Sequence, residues 1–240
     1  MIQITVTCHC RKCGSIEIVK NGHDYKGAQK YHCHNCKSWG TLGARERYGE
    51  AEKERVVRAG LERSSLRGLE RVFRIRRQAI ASWILKAAKA LPRLEHTVVP
   101  PKPGDVLELD ELWSFVLKKS RKRWIWLALC RRTRQVVAYY VGDRSEKSCK
   151  KLWKRIPSSY KRCLSYSDFW QTYQNIFSPQ RHHCVGKETG ETAHVERFIN
   201  TLRQRISRLV RKTLSFSKSD KSHQLLLKLF LHYYNLECIS

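Results

Sequence analysis

The chain has 240 residues, room for a small module and one larger domain with a core of its own. Lysine and arginine number 48 against 21 acids, and the formal charge of +27 is spread along the whole length rather than held in one tail. Such a field attracts polyanions, and nucleic acid fits better than a membrane surface because the basic segments lack the long apolar face of an interfacial helix.

The opening residues 1–7 are short and run at once into Cys8 and His9, and no apolar run approaches the length of a membrane span. A soluble cytoplasmic protein without a membrane partner is the expectation. Four of the ten cysteines form two CxxC pairs and the rest are scattered singly, which favours metal ligation in a reducing compartment over disulfides.

Those pairs come first along the chain. Cys10-Arg-Lys-Cys13 and Cys33-His-Asn-Cys36 are separated by 19 residues, the spacing of a four-cysteine structural zinc ribbon. One Zn²⁺ would substitute for the core that some forty residues cannot build, and Gly14 suits the tight turn after the first pair. Cys8 is too close to Cys10 for the usual knuckle and is left out of the ligand set. Lys12, Lys20, Lys26, Lys30 and Lys37 give the ribbon, residues 1–45, a basic surface that suits a phosphate backbone.

Residues 46–90 read as helical. Leu66, Leu69, Val72, Ile75, Ile80, Trp83 and Ile84 are the expected packed positions of a helix-turn-helix whose second helix starts near Arg76. Phe73 stands where such a turn usually has glycine. Arg76, Arg77, Gln78 and Ala81 would then face base edges or phosphates; an ordinary amphipathic helical pair is the alternative.

Four of the six prolines fall within 91–104, which is read as a linker. From 105 the pattern becomes that of strands: Val106–Val116, Arg123–Cys130 and Gln135–Val141, rich in branched and aromatic residues, predict a three-strand meander. A helix over Ser145–Ile156, a strand over Arg162–Asp168 and helices over Thr192–Val210 and Ser222–Leu236 follow. The predicted class is α/β, a mixed sheet with flanking helices.

Three acids stand out in this basic domain: Asp110 in the first strand, Asp168 at the end of the fourth, and Glu196 on the penultimate helix. Acids at those places are the layout of a ribonuclease-H-like nuclease. Clustered carboxylates repel unless cations lie between them, so the pattern implies two Mg²⁺ or Mn²⁺ ions about 4 Å apart, suited to in-line phosphoryl displacement. Arg203 lies seven residues, two helical turns, beyond Glu196 and on the same face, where it can hold a DNA phosphate. His194 and Asn200 are weaker candidates. Glu108, Glu111, Asp143 and Glu191 are the nearby acids that the pattern passes over.

The two cysteine knuckles, the helix-turn-helix, Leu107-Glu-Leu-Asp-Glu-Leu-Trp113, Tyr166-Ser-Asp168 and the run from Glu196 to Lys218 together resemble the bacterial insertion-sequence-one transposases over nearly the whole chain. The resemblance implies a DDE-type enzyme with Asp110, Asp168 and Glu196 as its acids and Arg203 as the trailing base. It implies binding of terminal inverted repeats by the N-terminal parts, and metal-dependent cutting and joining of double-stranded DNA by residues 105–240. It also implies a homo-oligomer when element ends are paired and a nucleoid-associated location. A DNA-binding regulator with an inactive catalytic domain and a structure-specific nuclease are the alternatives.

Overall fold

The computed structural model describes residues 7–25, 27–42, 48–210 and 212–239. Lys26 and the expected boundary at 45/46 lie outside these. There are two compact units, residues 1–50 and 51–240.

The first unit is built on three short antiparallel strands in sequential order, β1 (Ile18–His23), β2 (Gln29–Cys33) and β3 (Trp39–Gly40). Before β1, the Cys10 amide donates to Ser15 O and the Gly14 amide to Cys10 O, both at 2.8 Å, closing the first knuckle. The second closes likewise, with the Cys33 amide donating to Ser38 O at 3.0 Å.

The second unit starts with three helices, α1 (Glu50–Ala59), α2 (Leu66–Phe73) and α3 (Arg77–Ala90). Ser65 caps α2 by accepting from the Gly68 amide at 2.9 Å, and Glu70 accepts from the Arg77 amide at 3.1 Å where α3 begins. Two expectations need correction here. Phe73 is the last residue of α2, and the left-handed turn position belongs to Arg74 (φ 56°), one residue later. Val72 is not packed but 74% exposed, because the buried face of so short a helix is carried by Leu69.

Residues 91–104 contain a single 3₁₀ turn, Leu94–Thr97, and are tied to the sheet by a buried amide network. Gln135 Nε2 donates to Thr97 O (2.7 Å) and Asn235 O (3.0 Å), while the Val99 amide donates to Gln135 Oε1 (3.0 Å).

The meander follows as β4 (Val106–Phe115), β5 (Lys122–Cys130) and β6 (Val136–Gly142), all antiparallel, then α4 (Glu146–Arg155) and β7 (Leu164–Ser167). After these come α5 (Gln171–Ile176) and β8 (His182–Cys184), which have no counterpart among the predicted elements, then α6 (Ala193–Arg205) and α7 (Asp220–Glu237). The five strands form one mixed sheet in the order β6-β5-β4-β7-β8, with β4–β7 and β7–β8 parallel. The long penultimate helix stops early: Ile206 turns extended (φ −103°, ψ 103°), and Ser207–Leu209 continue only as a 3₁₀ turn.

Both faces of the sheet are covered, so β4 is buried almost throughout rather than alternating with solvent. Leu107 and Leu109 pack with Trp126, Cys149, Leu152 and Tyr173 on one face, beneath α4 and α5. Residues of β4 two apart share a face, so Glu108 and Asp110 look the other way, toward α6, whose buried side is Val195, Phe198, Ile199 and Leu202. No helix among the described residues is long and apolar enough to cross a membrane.

Candidate functional sites

In the first unit the sulfurs of Cys10, Cys13, Cys33 and Cys36 all lie within 4.8 Å of one another, with Cys10–Cys36 and Cys13–Cys33 at 3.6 Å. A tetrahedron with metal–sulfur bonds of about 2.3 Å has edges of about 3.8 Å, so the cluster fits an ion such as Zn²⁺. Ser38 Oγ lies 3.4 Å from Cys10 Sγ and 3.0 Å from Cys36 Sγ. That hydroxyl is the main reason both thiols sit below their ordinary value, Cys10 at about 5, and thiolate is the form that ligates. Cys8 is exposed and is not one of the four clustered sulfurs.

In the second unit the acids gather where β4 and β7 run parallel. Glu108 pairs with Tyr166 in register, and Asp110 and Asp168 each lie two residues further along the chain from that pair. Asp168 follows β7, where its Oδ1 accepts from the Trp170 amide at 3.1 Å. Glu196 lies in the first turn of α6, and its Oε1 accepts from Thr192 Oγ1 at 3.1 Å. The trio interacts: the Asp110 carboxyl is pushed up to about 7, first by burial, then by the negative charges of Glu111, Asp168 and Glu196. The carboxylates form a looser group than the thiols, since no three acids among the described residues close to within 4.8 Å. Arg203 is half-buried, two turns along α6. Arg76, Arg77 and Gln78 are exposed where α3 begins.

The acids passed over in the sequence hold the site together. Glu108 is fully buried, and its carboxylate accepts from the His194 amide (2.9 Å), the Val195 amide (3.0 Å), His194 Nδ1 (2.7 Å) and Arg131 Nε (2.8 Å). It therefore fixes the N-terminus of α6, and with it Glu196, to the strand that bears Asp110. Arg131 also pairs with Glu191 at 2.6 Å and lies 5.3 Å over the Tyr166 ring, clamping β4, β7 and the approach to α6. His194, a candidate from sequence, belongs to this tether.

Glu111 points to the opposite face. It accepts from Tyr173 Oη at 2.9 Å and pairs with Arg144 at 2.7 Å, whose guanidinium lies between the rings of Trp124 (4.6 Å) and Trp170 (4.1 Å). Asp143 accepts from the hydroxyls of Ser145 and Ser148 at the start of α4. The signal for Glu108 was its two-residue spacing from Asp110, which puts both on one strand face. Nothing in the sequence pointed to Arg131 as its partner.

Residues 106–237 match the family model described as IS1 transposase. The chain is 37% identical over 126 residues to the insertion element iso-IS1n protein InsB of Shigella dysenteriae, covering 52% of this chain and 93% of the relative. It is 35% identical over 130 residues to the insertion element IS1 protein InsB of Shigella flexneri, covering 54% and 94%. It is also 35% identical over 140 residues to the insertion element IS1 4 protein InsB of Escherichia coli (strain K12), covering 57% and 80%.

Proposed function

Because this chain belongs to the IS1 transposase family, we propose that it binds the terminal inverted repeats of an insertion sequence and cuts and joins DNA strands at Asp110, Asp168 and Glu196. The observation that carries this reading is the placement of the three acids, Asp110 on β4, Asp168 just past the adjacent β7 and Glu196 in the first turn of α6; the Asp110 carboxyl is raised to about 7 by burial first, then by Glu111, with Asp168 and Glu196 adding to the rise. A hard divalent cation relieves such crowding, and carboxylate oxygens are the donors that Mg²⁺ or Mn²⁺ takes. When bound, two such ions would activate the attacking oxygen and stabilise the leaving one.

The chain's own contribution is positioning. Asp110 presents its oxygens from β4 and Asp168 from just beyond the adjacent parallel β7, Glu196 presents its own from a helix that Glu108 holds in place, and Arg203 steadies the phosphate. Water hydrolyses the phosphodiester at the element end, and the freed 3′-hydroxyl attacks target DNA, with no bond formed to the protein. The strand order, with its first and fourth strands adjacent at the centre, supports reading residues 105–240 as a ribonuclease-H-like catalytic domain. Residues 1–45 and 46–90 then serve as zinc ribbon and helix-turn-helix, with Arg76, Arg77 and Gln78 toward the duplex, and 91–104 connects them to it. Pairing two ends calls for at least two protomers, acting on DNA in the cytoplasm.

The test is a strand-transfer assay with purified protein and an end-containing duplex, run with and without chelator. Wild type should nick and join only with divalent metal, while Asp110→Asn should bind equally well and do neither. Joining by Asp110→Asn would remove the assignment. Nicking without joining would identify a structure-specific nuclease, and binding without either a regulator.

A further inference from the structure

A cavity of about 730 Å³ opens in the second unit between α2, α3, the turn at Ile206, Ser207 and Arg208, and residues from Leu214 to Leu226, a size within the range of ligand pockets. Its charged lining is all of one sign: Arg67, Arg77, Arg208 and Lys218, with hydroxyls from serines such as Ser64 and Ser215 among them and no acid.

Arg208 contrasts with three other half-buried arginines. Half-buried Arg123, Arg131 and Arg205 are neutralised by Asp220, Glu108 and Glu62, whereas half-buried Arg208 has no carboxylate partner among the described residues. Burial pushes its guanidinium below the ordinary value with no opposing charge to offset it. Its field also reaches His223, which burial and then Arg208 hold down to about 4. Arg67, Arg77 and Lys218 likewise form no ion pair among the described residues. A partly desolvated, unneutralised cation costs the fold free energy unless an anion completes it.

We propose that this cavity is a phosphate-binding cleft that takes the sugar–phosphate backbone of duplex DNA, with Arg208 as its inner anchor and Arg67, Arg77 and Lys218 around it. The inference rests on DNA being the substrate. A guanidinium suits a phosphodiester because its fork can donate two parallel hydrogen bonds to phosphate oxygens. Arg77 also lies on the first turn of α3, so the cleft adjoins the turn read above as facing the duplex. Contacts of this kind carry no sequence information; they set the register of the duplex on the protein.

The test measures binding of a labelled duplex to full-length protein by fluorescence anisotropy at several salt concentrations between 50 and 200 mM. Arg208→Met should weaken binding about tenfold, equally for an end-containing and an unrelated duplex, and reduce the slope of log K against log salt by about one. Its melting temperature in phosphate-free buffer should be no lower than that of wild type, because an unneutralised charge has been removed. Should Arg208→Met fail to fold, exposed Arg67→Ala carries the same measurement and should lower the slope likewise. Lys147→Ala, on α4 across the sheet, should change affinity far less.

Wild-type affinity and slope in both cleft variants would overturn the proposal. So would a rise in wild-type melting temperature with inorganic phosphate alone, abolished by Arg208→Met while duplex binding stays intact; that result would assign the cleft to a free anion. These outcomes are separable from failure of the transposase reading, in which wild type itself would not bind the duplex or Asp110→Asn would still join strands.

Discussion

Lys37 follows the second knuckle at φ 55°, the place that Gly14 takes at φ 74° after the first. The left-handed region costs a side-chain-bearing residue about 1 kcal/mol or more, so Lys37→Gly should raise the stability of the zinc-loaded ribbon by about 1 kcal/mol. A lower melting temperature for that variant would show that the lysine side chain outweighs its backbone strain. Asp110 makes a second residue-scale prediction. Its carboxyl is raised from the ordinary 3.8 to about 7, chiefly by burial. Between those values the folded protein keeps a proton that the unfolded chain has released, so this stability is whole below the lower value and is lost as pH rises through the upper. In metal-free buffer, wild type should lose stability relative to Asp110→Asn from pH 5 to pH 8, and parallel melting curves would count against it. The choice of Asp110 rested on its apolar strand neighbours and on the joint pattern with Asp168, Glu196 and Arg203. What sequence could not supply was what each face of β4 packs against, because the strand is buried on both sides and no alternation with solvent marks the two.

At the scale of elements, the tether between β4 and α6 is the one to break. Removing the buried Glu108 carboxylate orphans two amides and a histidine and leaves Arg131 with Glu191 alone, and Glu108→Ala should cost about 3 to 5 kcal/mol in denaturant unfolding. Glu108→Gln keeps the shape and part of the hydrogen bonding. It should fold, yet cleave at least tenfold more slowly than wild type at saturating metal; unchanged cleavage would mean that α6 is held by its apolar face alone. The long strands and α4, α6 and α7 were legible because their apolar patterns run for many residues. Gln171–Ile176 and His182–Cys184 were not, being six and three residues long, too short for a period to show. The early end of α6 was missed because Ile206, Leu209 and Val210 continue an apolar pattern after the backbone has turned extended.

For the whole molecule, two compact units and the four-cysteine cluster of the first predict two separable unfolding events. Stripping the metal, or Cys33→Ser, should abolish ordered structure in residues 1–50, read by amide exchange, and leave the melting transition of residues 51–240 in place. A single transition that shifts as one would mean that the units fold together. The composition also made the polyanion partner legible, since +27 over 240 residues leaves few other uses for such a charge. It could not show that one arginine, Arg208, lacks a countercharge among the described residues, because neutralisation depends on which acids the fold brings near. The Glu108 tether bears on how mobile elements decay. If the proposed acids are the catalytic ones, a genomic copy in which only that codon has drifted would still spell all three acids and an open reading frame, yet encode a protein whose third acid is out of alignment. Surveys that judge copies live by the acids alone would count such silent relics among the active ones.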